Sequence, residues 1–272
     1  MLEPYFLETP QGHILIQSFV PEKANSEAVI FVPPFAEEMN KSRRMMALLG
    51  HSLAVKGILM VIPDLYGTGD SEGDFSDATW SIWLDNIRQL VHTLKEQGVQ
   101  TISFVGLRMG CLLINDFISG HQLVAKRVIF WKPVTSGKQM VNQFLRLRVA
   151  NSMMDGNKET TESLRCQLHS TGRLEVAGYN LNADLISTLD EKKMSSETFS
   201  NSIDWHWYEV LASENQPVPM ASNKIIQSLN NQGVGINMQQ LLGENFWANQ
   251  EIAEIPELVY VTCRTLCESN GG

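Results

Sequence analysis

Residues 102–114 read ISFVGLRMGCLLI, and this stretch decides the fold. The first four residues form a mostly apolar run typical of a buried strand, and residues 112–114 begin a helix-like apolar run. Between the two stands the pentapeptide Gly106-Leu107-Arg108-Met109-Gly110, whose glycines permit a sharp reversal of the chain. A strand that passes abruptly into a helix predicts that the central residue, Arg108, is exposed at the edge of a sheet.

This frame resembles the nucleophile elbow of the α/β-hydrolases, G-x-S-x-G, in which the turn presents a serine at the top of the sheet. Arg108 holds the position of that serine. A guanidinium stays protonated in proteins, carries only hydrogen-bond donors and cannot attack a carbonyl carbon. The frame therefore predicts the scaffold of a hydrolase without its nucleophile.

Two loops upstream of the elbow support the same scaffold. The predicted strand at residues 58–62 runs into Asp64-Leu65-Tyr66-Gly67-Thr68-Gly69-Asp70-Ser71, a D-x-x-G-x-G-x-S loop that resembles the one after the fourth strand of α/β-hydrolases. Another apolar strand, residues 28–32, ends at Pro33-Pro34-Phe35, where the superfamily usually has His-Gly-x. Three strand-end loops in the correct order predict the α/β-hydrolase fold.

The pattern along the chain agrees with this fold. Strands are predicted at residues 13–20, 28–32, 58–62, 102–105, 127–131, 205–211 and 234–242, and helices at 42–56, 80–97 and after the elbow. This alternation predicts an α/β protein with a mostly parallel sheet of about eight strands and helices on both faces.

The alternation stops between residues 133 and 204, where roughly seventy residues intervene and a crossover needs far fewer. This segment opens with Ser136-Gly137-Lys138-Gln139, an S-x-x-Q capping box, and continues as an amphipathic helix. We therefore predict a core made of residues 1–134 and 204–272, and a helical cap or lid insertion at residues 135–203. Such an insertion commonly covers the pocket of this fold.

Composition narrows the functional classes. The chain has 272 residues, is 43% hydrophobic and carries a formal net charge of −9, which disfavours binding to nucleic acid or to an anionic membrane. The first twenty residues lack a basic start, and no apolar run approaches the ~20 residues that cross a bilayer. The four cysteines show no metal-ligand spacing. These features predict a cytoplasmic protein without membrane insertion, metal or cofactor.

The other two triad positions also depart from the hydrolase pattern. The acid follows the penultimate strand in this fold and the histidine follows the last. The available acid is Glu214, while Asn245 holds the histidine's place in Gly243-Glu244-Asn245-Phe246-Trp247. An amide cannot act as a general base. His206 falls within a predicted strand, where a structural imidazole is expected. Because the positions of both the nucleophile and the base hold other residue types, serine-triad chemistry is predicted to be absent.

The chain is further similar to the exosortase A system-associated hydrolase 2 family of Gram-negative bacteria. The similarity covers nearly the whole chain and is carried by residues 33–44, 64–80, 106–110, 136–148, 174–179 and 246–251. This family is encoded with exopolysaccharide and protein-sorting loci. The resemblance implies that the arginine at the elbow is a family feature, and that the partner is an acidic small molecule or a protein of the exopolysaccharide pathway.

A cation at the first turn of a helix opposes the helix dipole, so Arg108 requires a negative partner. That partner is either internal, with Glu37, Glu38 and Glu251 as candidates, or an external carboxylate, phosphate or sulfate held by the guanidinium fork. The amides of Phe35 and Met109 hold the positions of an oxyanion hole. The predicted pocket residues are Arg108, Met109, Phe35, Glu37, Glu38, Tyr66, Lys138, Gln139, Trp247 and Glu251.

Two functional classes remain open. The first is a pocket protein that binds an anion or metabolite without turnover, and the second is an enzyme with Glu37 or Glu38 as base and Arg108 as electrostatic clamp. Cys111 is a poor substitute nucleophile, because three residues past Arg108 it is expected to point into helix packing. A homodimer is compatible with either class.

Overall fold

The computed structural model describes residues 1–121, 125–154 and 158–268. Eight strands form one sheet: β1 (Tyr5–Thr9), β2 (Gly12–Phe19), β3 (Glu27–Val32), β4 (Leu59–Pro63), β5 (Thr101–Leu107), β6 (Arg127–Trp131), β9 (Asp204–Leu211) and β10 (Ile236–Leu242). The spatial order is β1-β2-β4-β3-β5-β6-β9-β10. β2 is antiparallel to its neighbours β1 and β4, and the remaining pairs are parallel. The mostly parallel eight-stranded sheet confirms the predicted fold class.

The central strands carry apolar side chains on both faces of the sheet, so helices pack on both faces. Val29, Phe31, Val105 and Trp131 pack on the face that holds α1 (Glu37–Val55) and α8 (Pro256–Cys267). Their strand neighbours, such as Ile30, Phe104 and Phe130, belong to the core on the opposite face. That face holds α2 (Trp80–Glu96), α3 (Met109–His121) and α7 (Met220–Asn231).

The first helix begins earlier than the sequence pattern predicts. It starts at Glu37 rather than at residue 42, so Glu37 and Glu38 lie in its first turn. Carboxylates are favoured there by the helix dipole and the unpaired amides, a local effect that apolar periodicity does not record. The shift brings both acids to the carboxyl end of β3, the same edge of the sheet as Arg108.

The segment between β6 and β9 forms α4 (Gly137–Met154), α5 (Thr161–Thr171), β7 (Arg173–Val176), β8 (Tyr179–Asn182) and α6 (Ala183–Glu191). The segment is mostly helical, and the β7–β8 hairpin is an element that the sequence pattern did not predict. β7 and β8 pair through a two-residue turn, Ala177-Gly178, in which both residues have positive φ, as the right-handed twist of a tight hairpin requires. The alternately buried Leu174 and Val176 carry the strand signal.

No helix within the described ranges has the length and apolar content that a bilayer crossing needs.

Candidate functional site

The elbow keeps its backbone geometry although arginine holds the central position. Arg108 lies between β5 and α3 with φ of 55°, a left-handed conformation that costs energy for any residue with a Cβ. A Cβ on Gly106 would lie 2.8 Å from the Cys111 nitrogen, and a Cβ on Gly110 would overlap the backbone of the β3 end. The two glycines are thus required by close packing between the turn, α3 and β3.

Arg108 forms an internal ion pair. Its Nε and Nη2 atoms each donate to Glu38 Oε1 at 3.2 Å, and Nη2 also reaches Gln143 Oε1 of α4 at 3.4 Å. The guanidinium carbon stands 5.6 Å from the centre of the Trp247 ring. Of the three carboxylates proposed as internal partners, the structure brings Glu38 to Arg108.

The ion pair satisfies only one oxygen of Glu38. The Oε2 atom is buried and makes no hydrogen bond to any residue that the structure describes. Burial raises the pKa of Glu38, and the neighbouring Arg108 and Lys41 oppose that rise without cancelling it. Glu38 is therefore a carboxyl group that can hold a proton on Oε2 more readily than an exposed glutamate.

A cavity of about 240 Å³ opens beside this pair, between the core and α4. The core contributes Phe35, Trp247 and Ala248 together with the charged side chains of Glu37, Glu38, Lys41 and Arg108. The insertion contributes Met140, Gln143, Phe144 and Leu147. One wall is thus charged and the other is mostly apolar, an arrangement that suits a small amphipathic molecule.

Glu37 faces the insertion instead of Arg108. Its Oε2 atom accepts a hydrogen bond from the Tyr179 hydroxyl at 3.2 Å and another from Asn40 Nδ2 at 3.3 Å. Burial first, and then the nearby Glu37 carboxylate, raise the pKa of Tyr179 to about 12. The Phe35 and Phe144 rings meet edge to face at 5.2 Å between centroids. These contacts hold the insertion against the core over the cavity.

Two backbone amides at the site are unpaired. The N–H groups of Phe35 and Met109 make no hydrogen bond to the parts of the chain that the structure describes, whereas Arg108 N–H donates to Trp131 O at 3.1 Å. Ala36, which follows Phe35, has φ of 51°. Phe35 lines the cavity, so its amide is a donor that a bound anion can use.

Other residues expected in the pocket lie elsewhere. Of the predicted set, Met109, Tyr66, Lys138, Gln139 and Glu251 do not line this cavity. Met109 is buried. Lys138 and Gln139 are exposed because they lie on the solvent side of the first turn of α4, and Glu251 is exposed in the segment between β10 and α8. The Tyr66 ring instead covers the loop glycine Gly73.

Sequence reasoning left out Lys41, Met140, Gln143, Phe144, Leu147 and Ala248 as pocket residues. The sequence spacing of most of these residues would have indicated that they share a surface. Lys41 follows Glu37 and Glu38 by one helical turn, and residues 140, 143, 144 and 147 have the i, i+3, i+4, i+7 spacing of one helix face.

The residues considered for the other triad positions are exposed. Glu214 follows β9 and Asn245 follows β10, and neither lines the cavity. The acid that is buried near the end of β9 is Glu209, whose Oε2 lies 2.9 Å from Lys132 Nζ. Its Oε1 accepts from Trp207 Nε1 at 3.0 Å and from Ser222 Oγ at 2.6 Å. Glu209 is thus engaged in a buried network within the core.

The side chains of Cys111 and His206 lie in surroundings that fit a role in packing rather than in catalysis. Cys111 is fully buried, and its Sγ donates to Gly106 O at 3.0 Å. Burial raises the pKa of this thiol, which disfavours the nucleophilic thiolate. His206 Nε2 lies 3.0 Å from Asp204 Oδ1, and burial lowers the pKa of the imidazole. Among the described residues, no three His, Cys, Asp or Glu side chains are grouped to hold a metal ion.

No family model and no curated protein matches the chain. Solved structures do match it over nearly its full length. Est1E from Butyrivibrio proteoclasticus, solved with ferulic acid bound, is 15% identical, with a TM-score of 0.69 over 96% of this chain and 97% of that chain. XC6422 from Xanthomonas campestris, described as an a/b serine hydrolase without lid, is 13% identical, with a TM-score of 0.60 over 99% and 97% of the two chains. An alpha-beta serine hydrolase homologue from Coxiella burnetii is 13% identical, with a TM-score of 0.57 over 97% of each chain. The chain therefore has the α/β-hydrolase fold.

Proposed function

We propose that this protein binds a small organic acid in the cavity beside Arg108 and does not perform serine-type hydrolysis. The observation that carries the proposal is the arginine at the elbow, which points its guanidinium at a cavity where a nucleophile would otherwise stand. A guanidinium cannot form an acyl intermediate, but it is well suited to bind a carboxylate.

The donors left over at the site support an anionic ligand. Arg108 uses Nε and Nη2 for Glu38 and Gln143, and its Nη1 atom makes no hydrogen bond to any described residue. Lys41 lines the same cavity and donates to Ala248 O at 3.1 Å, which leaves further N–H groups of its ammonium available. Phe35 also lines the cavity, and its amide, which has no hydrogen-bond partner among the described residues, can donate to the same carboxylate.

The size and lining of the cavity narrow the ligand further. A volume of about 240 Å³ is smaller than the pockets of roughly 300–1,000 Å³ that hold drug-sized ligands. The wall formed by Met140, Phe144 and Leu147 favours an aliphatic or aromatic body. The ligand is then a small acid with an apolar body rather than a sugar or a nucleotide.

The biological setting of the proposal rests on the resemblance to the exosortase A system-associated family. In that setting the protein acts in the cytoplasm and responds to an acidic metabolite, or carries it to a protein of the exopolysaccharide pathway. The proposal requires neither a cofactor nor a homodimer.

The first experiment is a thermal-shift titration with ferulate, cinnamate, octanoate and inorganic phosphate. A ligand present at 100 times its Kd stabilises the folded state by about 2.7 kcal/mol, which raises Tm by several degrees. We expect at least one carboxylate to do so with wild type. Arg108→Ser should lose the response, and the matched variant Arg146→Ser should keep it because Arg146 is exposed outside the cavity. Equal responses in the two variants would refute the assignment of Arg108.

The second experiment tests the absence of serine chemistry. Purified protein should hydrolyse p-nitrophenyl acetate no faster than an equal mass of albumin. Turnover that a serine-directed fluorophosphonate abolishes would refute this part of the proposal.

An enzyme that uses Glu38 as base and Arg108 as clamp is the second candidate. It is favoured by one observation, the buried Oε2 atom of Glu38, which has no hydrogen-bond partner among the described residues and belongs to a carboxyl with a raised pKa. Turnover of an ester that resists the fluorophosphonate and disappears in Glu38→Gln would favour this candidate over a binding protein.

A further inference from the structure

We propose that the ligand of this cavity carries an ammonium group beside its carboxylate, and that Glu37 binds this ammonium. The inference rests on the proposed binding of a small acid and names its chemical class, an α-amino acid with an apolar side chain. Lys41 and Arg108 bind the carboxylate of this ligand, and the apolar wall from α4 contacts its side chain.

Glu37 and Lys41 are neighbours on one face of α1, and both line the cavity. Residues four positions apart on a helix have Cβ atoms about 5–6 Å apart, and a glutamate that precedes a lysine at this spacing is the favourable order for an ion pair. Neither side chain forms an ion pair within the described ranges. Glu37 instead accepts hydrogen bonds from Tyr179 and Asn40, and Lys41 donates to Ala248 O. Two opposite charges at one cavity are thus left without a counter-ion.

One oxygen of Glu37 remains accessible to a ligand. Oε2 of Glu37 accepts both hydrogen bonds, and Oε1 has no hydrogen-bond partner among the described residues. Oε1 of Glu37 is not fully buried, in contrast to Oε2 of Glu38. Lys41 is half-buried like Glu37, and it uses one of the three N–H groups of its ammonium for Ala248. A molecule in the cavity can therefore contact a free carboxylate oxygen and a free ammonium donor.

The charges that line the cavity favour a ligand that carries both signs. Glu38 and Arg108 compensate each other through their ion pair, so the carboxylate of Glu37 and the ammonium of Lys41 are left over. The lining residues from α4 and from the β10 end are neutral. A simple carboxylate satisfies Lys41 but is repelled by Glu37. A zwitterion forms charge-assisted hydrogen bonds with both side chains.

An α-amino acid fits this arrangement because its ammonium and its carboxylate are attached to the same carbon atom. The two groups are therefore as close to each other as the side chains that bind them, which lie one helical turn apart. The third substituent of that carbon can lie against Met140, Phe144 and Leu147, the apolar wall of the cavity. Removing an apolar substituent from water adds affinity, so the site favours amino acids with aliphatic or aromatic side chains.

The test is calorimetric titration of the full chain at pH 7 with three ligands that share a phenyl ring and a two-carbon linker. L-Phenylalanine carries both charges, 3-phenylpropanoate lacks the ammonium, and 2-phenylethylamine lacks the carboxylate. We expect L-phenylalanine to bind about tenfold more tightly than either of the others, because each of them loses one charge-assisted hydrogen bond.

A variant assigns the ammonium to Glu37. Glu37→Gln keeps the size of the side chain and an oxygen that can accept from Tyr179, but it removes the negative charge. L-Phenylalanine should then bind no more tightly than 3-phenylpropanoate, and 3-phenylpropanoate should bind at least as tightly as it does to wild type because the repulsion is gone. The matched variant Glu257→Gln, at an exposed position in the first turn of α8, should keep the tenfold preference. A Glu37→Gln protein that keeps this preference would overturn the inference.

The comparison of the three ligands on wild type does not depend on any variant, and its outcomes separate the two proposals. Equal affinities for L-phenylalanine and 3-phenylpropanoate would overturn the inference and leave the binding of a small acid standing. Equal affinities for L-phenylalanine and 2-phenylethylamine would show that the carboxylate contributes nothing and would overturn both. Both proposals also fail when none of these ligands binds and ferulate, cinnamate, octanoate and phosphate do not bind either.

Discussion

Replacing Arg108 by serine tests the ion pair at the elbow in the absence of ligand. The variant restores the residue type of a hydrolase elbow but leaves the buried Glu38 without its cation. Because 15% of the Arg108 side chain and 23% of the Glu38 side chain are exposed, the pair lies between the surface and the deep interior. We therefore expect a loss of about 1–3 kcal/mol in the free energy of unfolding, below the ~3–5 kcal/mol that breaking a fully buried pair costs.

The loss should depend on pH in a defined direction. Burial raises the pKa of Glu38 above its unfolded value while Arg108 opposes that rise, so removing Arg108 raises it further. Ionising Glu38 in the folded state is then more costly, and the cost grows as pH rises through the range where the carboxyl loses its proton. Arg108→Ser should consequently be destabilised more at pH 8 than at pH 5.

The assay is urea denaturation of four proteins at the two pH values: wild type, Arg108→Ser, Glu38→Gln and the double variant. A double-mutant cycle then isolates the coupling between the two side chains. We expect a stabilising coupling at pH 8 that shrinks at pH 5, and Arg146→Ser should stay within about 0.5 kcal/mol of wild type. An Arg108→Ser protein as stable as wild type at pH 8, with no coupling in the cycle, would refute the reasoning.

Two further predictions concern the scaffold. Gly110→Ala should destabilise the protein by more than about 2 kcal/mol, because the added methyl group overlaps backbone atoms of the β3 end that cannot move aside. Gly120→Ala in the same helix has open space around it and should be neutral or stabilising by up to ~1 kcal/mol. The midpoints of urea denaturation compare the two variants, and equal effects would contradict the steric account. Glu209→Ala should cost about 3–5 kcal/mol, because Glu209 itself is fully buried and its removal takes the acceptor from Trp207 and Ser222 as well as the carboxylate from Lys132. The exposed Glu257→Ala should change stability by less than ~0.5 kcal/mol. A similar melting temperature for both variants would show that the Glu209 network contributes nothing.

The order of elements could be predicted because it depends on local patterns. Each central strand is a run of apolar residues, and Gly106 and Gly110 mark the turn by a steric requirement that the structure explains. The prediction was weaker where elements are short. β1 and the β7–β8 hairpin have four or five residues each, too few for periodicity to stand out against the helical neighbourhood.

The motifs along the chain were sufficient to predict the fold of the α/β-hydrolases, an arginine at its elbow and acids close to that arginine. The motifs did not show which carboxylate pairs with Arg108. Adjacent helix residues point about 100° apart, so of two consecutive acids Glu38 faces Arg108 and Glu37 faces Tyr179. The partners lie 70 and 142 positions away along the chain. These pairings, and the positions of Lys41 and Gln143 in the cavity, could not be predicted from the motifs, because contacts between distant elements depend on how the helices and the insertion pack on the sheet.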